Sequence, residues 1–294
     1  MTSDVATAAA VNDDELFCPE CGYNLRGIDN IDRCPECGQV LDRARLTASN
    51  IPWTHRDEIG SVKAYRRTVW LALRYPFRAA DDVARPVSFD DAQQFRLITV
   101  RLAWLSLVAL LMWGCIEVAR DRPITMSSTA SPVVRIGWAL EILAAPVIAA
   151  ALYAFLLAAS GAASYFFHPR WLPVERQNRA VALSYYACAP MALTPISVAS
   201  IIGAFFIREN FGGQPAILIG IALTTCVLVP AIQAVMSVAT PLLIMRRATN
   251  CGIGRAIALV VALPVLWALL GVVILVGIPA AYLFVALVIM SLIA

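Results

Sequence analysis

The sequence predicts an all-α polytopic membrane helix bundle of about five spans, with a small cysteine-bearing module toward its N-terminal end. Three observations carry this reading. Residues 97–294 are almost continuous apolar sequence, broken only by short charged loops, and 256–294 hold no charge at all. At 60% hydrophobic and 15% charged residues, a water-soluble chain of this length could not bury its own hydrocarbon, so the bilayer must act as solvent. The charges are also segregated. Residues 1–96 carry 12 of the 23 basic and 15 of the 20 acidic side chains, a net of −3, whereas the remainder is net +6. An acidic head argues against nucleic acid as a partner, because phosphate binding needs a basic surface.

Residues 1–15 are small, polar and acidic and are expected to be disordered. They show no basic n-region and no apolar core of signal-peptide length, so an uncleaved N-terminus is expected. Residues 16–42 then contain an internal repeat. CPECG occurs twice, placing Cys18, Cys21, Cys34 and Cys37 in a C-x2-C-x12-C-x2-C pattern. Each Cys-x-x-Cys turn puts two thiolates on one side of a tight loop, and the glycine after it (Gly22, Gly38) lets the backbone curl toward sulfur. Two such knuckles facing each other make a tetrahedral four-sulfur site, the geometry of a structural zinc. The only sizeable apolar groups nearby are Tyr23, Leu25, Ile31, Val40 and Leu41, so metal binding has to supply the fold. A rubredoxin-like iron uses the same ligands, and a redox dithiol is the third reading. The short spacer and the missing aromatic core favour zinc. Four protein ligands close the coordination shell, which disfavours a catalytic metal. Glu20, Asp29, Asp32 and Glu36 outnumber Arg26 and Arg33, so the ribbon is anionic and suits a protein contact or a purely structural role. Cys115, Cys188, Cys226 and Cys251 read as packing residues.

Residues 43–58, polar and containing Pro52, read as a linker, and 59–96 as amphipathic membrane-proximal helices. Val62, Tyr65, Val69 and Leu73 recur at helical spacing beside Lys63, Arg67, Arg74 and Arg78, with Trp70, Tyr75 and Phe77 nearby. This suits a helix lying in the membrane interface, or equally a helix packed as in a soluble protein. Pro76 should end or kink it. Ser88 followed by Asp91 predicts a helix start at Phe89. Within the transmembrane domain, 97–294, spans are expected near 97–118, 136–166, 180–207, 215–245 and 256–292. The last run would be about 58 Å of helix, nearly twice a hydrocarbon core. It is one long kinked helix or two spans turning near Gly277-Ile278-Pro279. With five spans and the N-terminus in the cytoplasm, arginines favour the inner side nine to four. A reducing compartment also suits a thiolate site. The expected place is an inner membrane of a bacterium, with the ribbon in the cytoplasm.

Two ionisable residues lie inside spans. Arg101, about one turn in, can snorkel, and Glu141 lies about a turn into the second span. They form a candidate intramembrane functional or structural ion-pair set, with Arg122 and Arg135 close to Glu141 in sequence. Seven prolines fall in spans, and Thr194, Ser197, Thr224, Thr225, Gln233 and Thr240 are the polar groups at depth; without carboxylate company they read as helix-packing groups. Ala158-Ala159-Ser160-Gly161 resembles the serine motif of rhomboid proteases but lacks its first glycine. No histidine follows in a later span to act as base, so close helix packing explains the run better.

Cys18–Gly38 resembles the short zinc ribbons placed before membrane segments in many bacterial proteins. The region 75–274 resembles Yip1-type membrane domains, through Tyr75-Pro76-Phe77, the run Leu183-Ser184-Tyr185-Tyr186-Ala187-Cys188-Ala189-Pro190, and Ile253-Gly254-Arg255-Ala256. The resemblance implies a five-helix bundle with a cytoplasmic N-terminus. Eukaryotic relatives in that family are associated with small GTPases and vesicle traffic, and the family has no catalytic residues to transfer. The expected function is therefore non-enzymatic. The chain reads as a membrane protein whose zinc ribbon docks a cytoplasmic protein or organises the membrane-proximal region, with the lipid bilayer and a second copy of the chain as further partners. A transporter or channel with the ribbon as regulatory element is the alternative. A membrane enzyme lacks any coherent set of nucleophile, base and orienting group.

Overall fold

The computed structural model describes residues 49–85, 87–121, 132–167, 174–210, 216–249 and 252–277, together with parts of 18–41 and isolated positions after 279. Side chains at 118–121, 132–143, 208–210, 216–223 and a few single positions fall outside that description. Among the described residues the chain is helical, with one isolated antiparallel bridge, Arg33 to Val40. A 3-10 turn, Pro52–His55, leads into α1 (Arg56–Ile59), α2 (Ser61–Arg74) and α3 (Pro76–Ala80). After a second 3-10 turn, Asp81–Ala84, come α4 (Phe89–Asp121), α5 (Pro132–Ala162), α6 (Val174–Tyr186), α7 (Thr194–Asn210), α8 (Ala216–Thr249) and α9 (Ile253–Gly271).

Among the described residues, five segments are long and apolar enough to cross a membrane: Phe89–Glu117, Ala144–Phe167, Gln177–Ile207, Thr224–Thr249 and Ala256–Gly277. The chain is an integral membrane protein. The third crossing differs from the single helix expected over 180–207. It breaks at Ala187 and Cys188, continues as a 3-10 turn, Ala189–Leu193, and re-forms as α7. Pro190 and Pro195 explain the break: each removes a backbone donor and crowds the preceding turn. α7 alone spans only about 25 Å, and the 3-10 turn adds about 10 Å, which together cover a hydrocarbon core. In the last span α9 passes into a π-helical turn, Val272–Gly277. A turn near Gly277–Pro279 and the count beyond it lie outside the described residues.

The chain packs as two compact units. The first takes Met1–Phe95, Ser164–Ala187 and Thr240–Ala256; the second takes Arg96–Ala163, Cys188–Ala239 and Ile257–Ala294.

In the first unit, residues 49–58 are a wedge and not the linker expected. Pro52 opens a helical turn, where its missing N–H is not needed. Trp53 is 2% exposed, and its indole donates to the Asp91 carbonyl at 2.9 Å. Its ring stands 6.3 Å from Tyr65 and 6.0 Å from Phe95, and Phe95 stands 5.1 Å from Tyr186. Such offset and edge contacts add to the burial of four aromatic rings. Asp82, fully buried, accepts from Ser49 Oγ at 2.7 Å, from the N–H groups of Asn50 and Ile51, and from Arg85. The wedge is thus tied down by one carboxylate.

The face that α2 buries is Ala64, Thr68 and Ala72, one position away from much of the stripe expected. Small side chains let the helix approach closely, and Tyr65 leans into the aromatic cluster while Val62 is left 83% exposed. The helix ends at Arg74, and Pro76 starts α3 at its first turn. The Asp91 N–H donates to Ser88 Oγ at 3.2 Å, so Ser88 caps α4 as its position in the sequence predicts.

In the second unit, packing is by small residues, indoles and short polar clamps. Trp104 donates to the Ala149 carbonyl at 2.7 Å, and Trp267 to the Ala159 carbonyl at 3.1 Å. Arg96 donates through Nε to Ser160 Oγ at 2.8 Å and through Nη2 to the Leu157 carbonyl. These acceptors sit in the last turns of α5, where the helix dipole favours a cation. A Cβ on Gly161 would meet Arg96 Nη2 at 2.9 Å, so glycine is the residue that leaves room for the guanidinium.

Candidate metal centre

The two CPECG repeats fold as facing knuckles. Cys18 N–H donates to the Tyr23 carbonyl and Cys34 N–H to the Gln39 carbonyl, both at 2.8 Å, so each loop folds back on its own first cysteine. Gly38 takes φ +72°, a left-handed conformation that only glycine adopts without strain, and its N–H closes the second knuckle on the Cys34 carbonyl at 2.9 Å. Leu41 N–H donates to the Asp32 carbonyl at 2.8 Å, fixing the strand-like exit. Among the described residues, the core of the ribbon is Cys18, Leu25, Cys34 and Leu41.

All four sulfurs lie within 4.8 Å of one another, and the cross pairs Cys18–Cys37 and Cys21–Cys34 stand at 3.6 Å. Disulfide sulfurs sit near 2.05 Å, so these are separate thiols. A tetrahedral ion with metal–sulfur bonds of about 2.3 Å needs sulfurs about 3.8 Å apart. The four cysteines are therefore placed to hold one metal ion.

The electrostatics of the two knuckles differ. Around Cys34, desolvation raises the thiol pKa. The N–H groups of Cys37 and Glu36 point at its sulfur and, with Cys21 and Cys18 also hydrogen-bonding it, bring it down to about 7. Cys21 goes the other way. Desolvation of a sulfur turned toward three others pushes it up to about 12, against a single N–H from Tyr23. A cation among the sulfurs favours the thiolate at both positions.

The remaining candidates lie elsewhere. Arg101 is exposed on α4 and makes no hydrogen bond or ion pair among the described residues. The side chains of Glu141 and Arg135, and all of Arg122, lie outside those residues. Thr194, Ser197 and Gln233 do meet: Gln233 Nε2 donates to Thr194 Oγ1 at 2.8 Å, and Ser197 donates to Gln233 Oε1 at 2.6 Å. This ties α7 to α8. Ser160 is held between Arg96 and the Leu157 carbonyl, which gives that serine a packing role.

Trp53 and Asp82 are the structural anchors that sequence reasoning missed. A tryptophan inside an otherwise polar stretch was the available signal for the first; nothing distinguished Asp82 from its neighbour Asp81.

No family model, curated protein or solved structure matches this chain.

Proposed function

We propose that the four cysteines hold a structural zinc and that the ribbon so formed is a docking module, on the cytoplasmic face, of a non-enzymatic membrane protein. The observation that carries this reading is the sulfur geometry: four protein thiols, spaced for a tetrahedral ion, complete the coordination shell and leave no position for a substrate. Zinc is the ion best suited to such a closed thiolate shell, since it needs no redox partner. The exposure of Tyr23, Arg33, Glu36 and Val40 around that centre leaves a mixed surface free to meet a protein. The arginine bias of the loops favours a cytoplasmic N-terminus and a bacterial inner membrane. A five-span bundle accords with the Yip1-type resemblance. The transporter reading is weaker, because Thr194, Ser197 and Gln233, the polar groups that meet between α7 and α8, satisfy one another.

A crosslinking pull-down from native membranes tests the proposal, comparing wild type with a Cys18→Ser/Cys34→Ser double variant at matched abundance. One zinc per wild-type chain, none in the variant, and a partner recovered only with wild type are expected. Identical partner sets in the two proteins defeat the docking role. One iron per chain, coloured in its oxidised form, defeats the zinc assignment.

A further inference from the structure

Two arginines on α4 sit five residues apart and are used differently. Arg96 is committed to the end of α5 through Ser160 and the Leu157 carbonyl. Arg101 is exposed and has no hydrogen bond or ion pair among the described residues. An unpaired charge in a membrane span is costly unless its head reaches the interface or meets an anion. The apolar stretch of α4, residues 97–116, is about 30 Å long, a full hydrocarbon core. Arg101 lies about 6 Å inside its N-terminal end. Helical side chains lean toward the N-terminus, which lets an arginine at this depth carry its guanidinium back to the phosphates while its stem stays in hydrocarbon.

Beside it runs a groove of about 350 Å³ lined by Arg101, Trp104, Leu105, Ala150 and Tyr153. Its walls are apolar apart from the arginine. They are also preset: the Trp104 indole is fixed to the Ala149 carbonyl at 2.7 Å and stands edge-on to Tyr153, ring centres 5.6 Å apart. Ala150, with only a methyl group, leaves the floor open, and Leu105, 56% exposed, opens the groove to the outside of the span. One cation at the interface above an apolar slot on a lipid-facing helix is complementary to one kind of occupant.

We propose that this groove binds one phospholipid of net negative charge, from the leaflet at the N-terminal end of α4. The phosphate takes the Arg101 guanidinium, a charge-assisted bond for which arginine is well shaped, and an acyl chain lies along Trp104, Leu105, Ala150 and Tyr153. The site depends on the bilayer and not on the ribbon, so it stands or falls separately from the metal reading.

Native mass spectrometry of the full chain, released from micelles doped with phosphatidylglycerol or phosphatidylcholine, tests this directly. Wild type should retain one phosphatidylglycerol in preference to phosphatidylcholine. Arg101→Gln should weaken that retention about tenfold, and Arg101→Lys, which keeps the charge, should preserve much of the preference. Arg101 makes no hydrogen bond or ion pair among the described residues, so the glutamine variant is expected to fold as wild type does. Ala150→Leu provides a second reading with the charge intact: it fills the slot and should cut retention by itself. Equal retention of the two lipids by wild type, or unchanged retention in either Arg101→Gln or Ala150→Leu, overturns the proposal. So does efficient dimer crosslinking through Leu105→Cys in bilayers rich in phosphatidylglycerol, which would make the groove a contact between copies of the chain.

Discussion

The first and second units solve the same problem in opposite ways. The first relies on a few concentrated anchors: four sulfurs placed to hold one ion in the ribbon, and one carboxylate, Asp82, holding the wedge that carries Trp53. The second spreads its support over many weak contacts, such as the Trp104 and Trp267 indoles on backbone carbonyls and the Thr194–Gln233–Ser197 clamp. The difference follows from the solvent. A ribbon in water has almost no apolar surface to bury, whereas a helix in lipid already satisfies its own backbone and needs only to be steered onto its neighbours. Concentrated anchors should fail abruptly, and distributed ones gradually.

The largest effect is expected at the ribbon. Metal binding to small zinc modules is worth about 10–16 kcal/mol, so stripping the ion with a chelator should unfold 16–42 entirely. Limited proteolysis should then cleave within that segment while the far-ultraviolet helical signal of the spans persists. Loss of the membrane helices along with the ribbon would dissolve the contrast between the two units.

Asp82→Ala should come next, destabilising the first unit by about 2–3 kcal/mol, because it strands the N–H groups of Asn50 and Ile51 and the Arg85 guanidinium. Thermal scans followed by intrinsic fluorescence would register this through Trp53. Burial holds the Asp82 carboxyl above the usual carboxylate range, against the hydrogen bonds from Ser49 and Arg85. A raised folded value means that this group's protonation favours the fold: the contribution is complete below the unfolded pKa and is lost as pH rises through the folded one. The penalty of Asp82→Ala should therefore be larger in acid than at neutral pH. A penalty that grows with pH would show that Arg85 and the N–H donors outweigh burial.

The smaller effects belong to the second unit. Gly161→Ala should cost about 1–3 kcal/mol, since the new methyl meets the Arg96 guanidinium, and the partner change Arg96→Ala should relieve it in a double-mutant cycle. Gln233→Leu should cost about 0.6 kcal/mol, the average for a hydrogen bond between membrane helices. Steric-trap or denaturant measurements in bicelles can resolve both. A Gln233→Leu penalty as large as that of Asp82→Ala would mean that the second unit also rests on single anchors.

Much of this was legible in the chain itself. The C-x2-C-x12-C-x2-C spacing named the four cysteines that come together, because a pair of thiolates three residues apart can face only one way in a tight turn. Ser88 and Pro76 fixed helix ends through backbone chemistry that is local. Residues 49–58 were harder. Composition marked them as linker, but the partners that fold them inward, Asp82 and Asp91, lie some thirty to forty residues later in the chain. The stripe on α2 is displaced by one position for a related reason: Tyr65, Val69 and Leu73 are half-buried, but periodicity finds large apolar groups, whereas the fully buried line consists of Ala64, Thr68 and Ala72, which matter by being small.

By itself, then, the sequence determined the solvent of each part and the four cysteines placed to hold an ion. Both depend on residue type and short spacing, and water, lipid and a tetrahedral ion impose the same demands wherever the segment lies. Only the tertiary structure decided how Arg96 and Arg101 on α4 are used. That depends on which neighbour stands opposite each one: an open helix end with Ser160 and Gly161 for Arg96, an apolar groove beside Trp104 for Arg101.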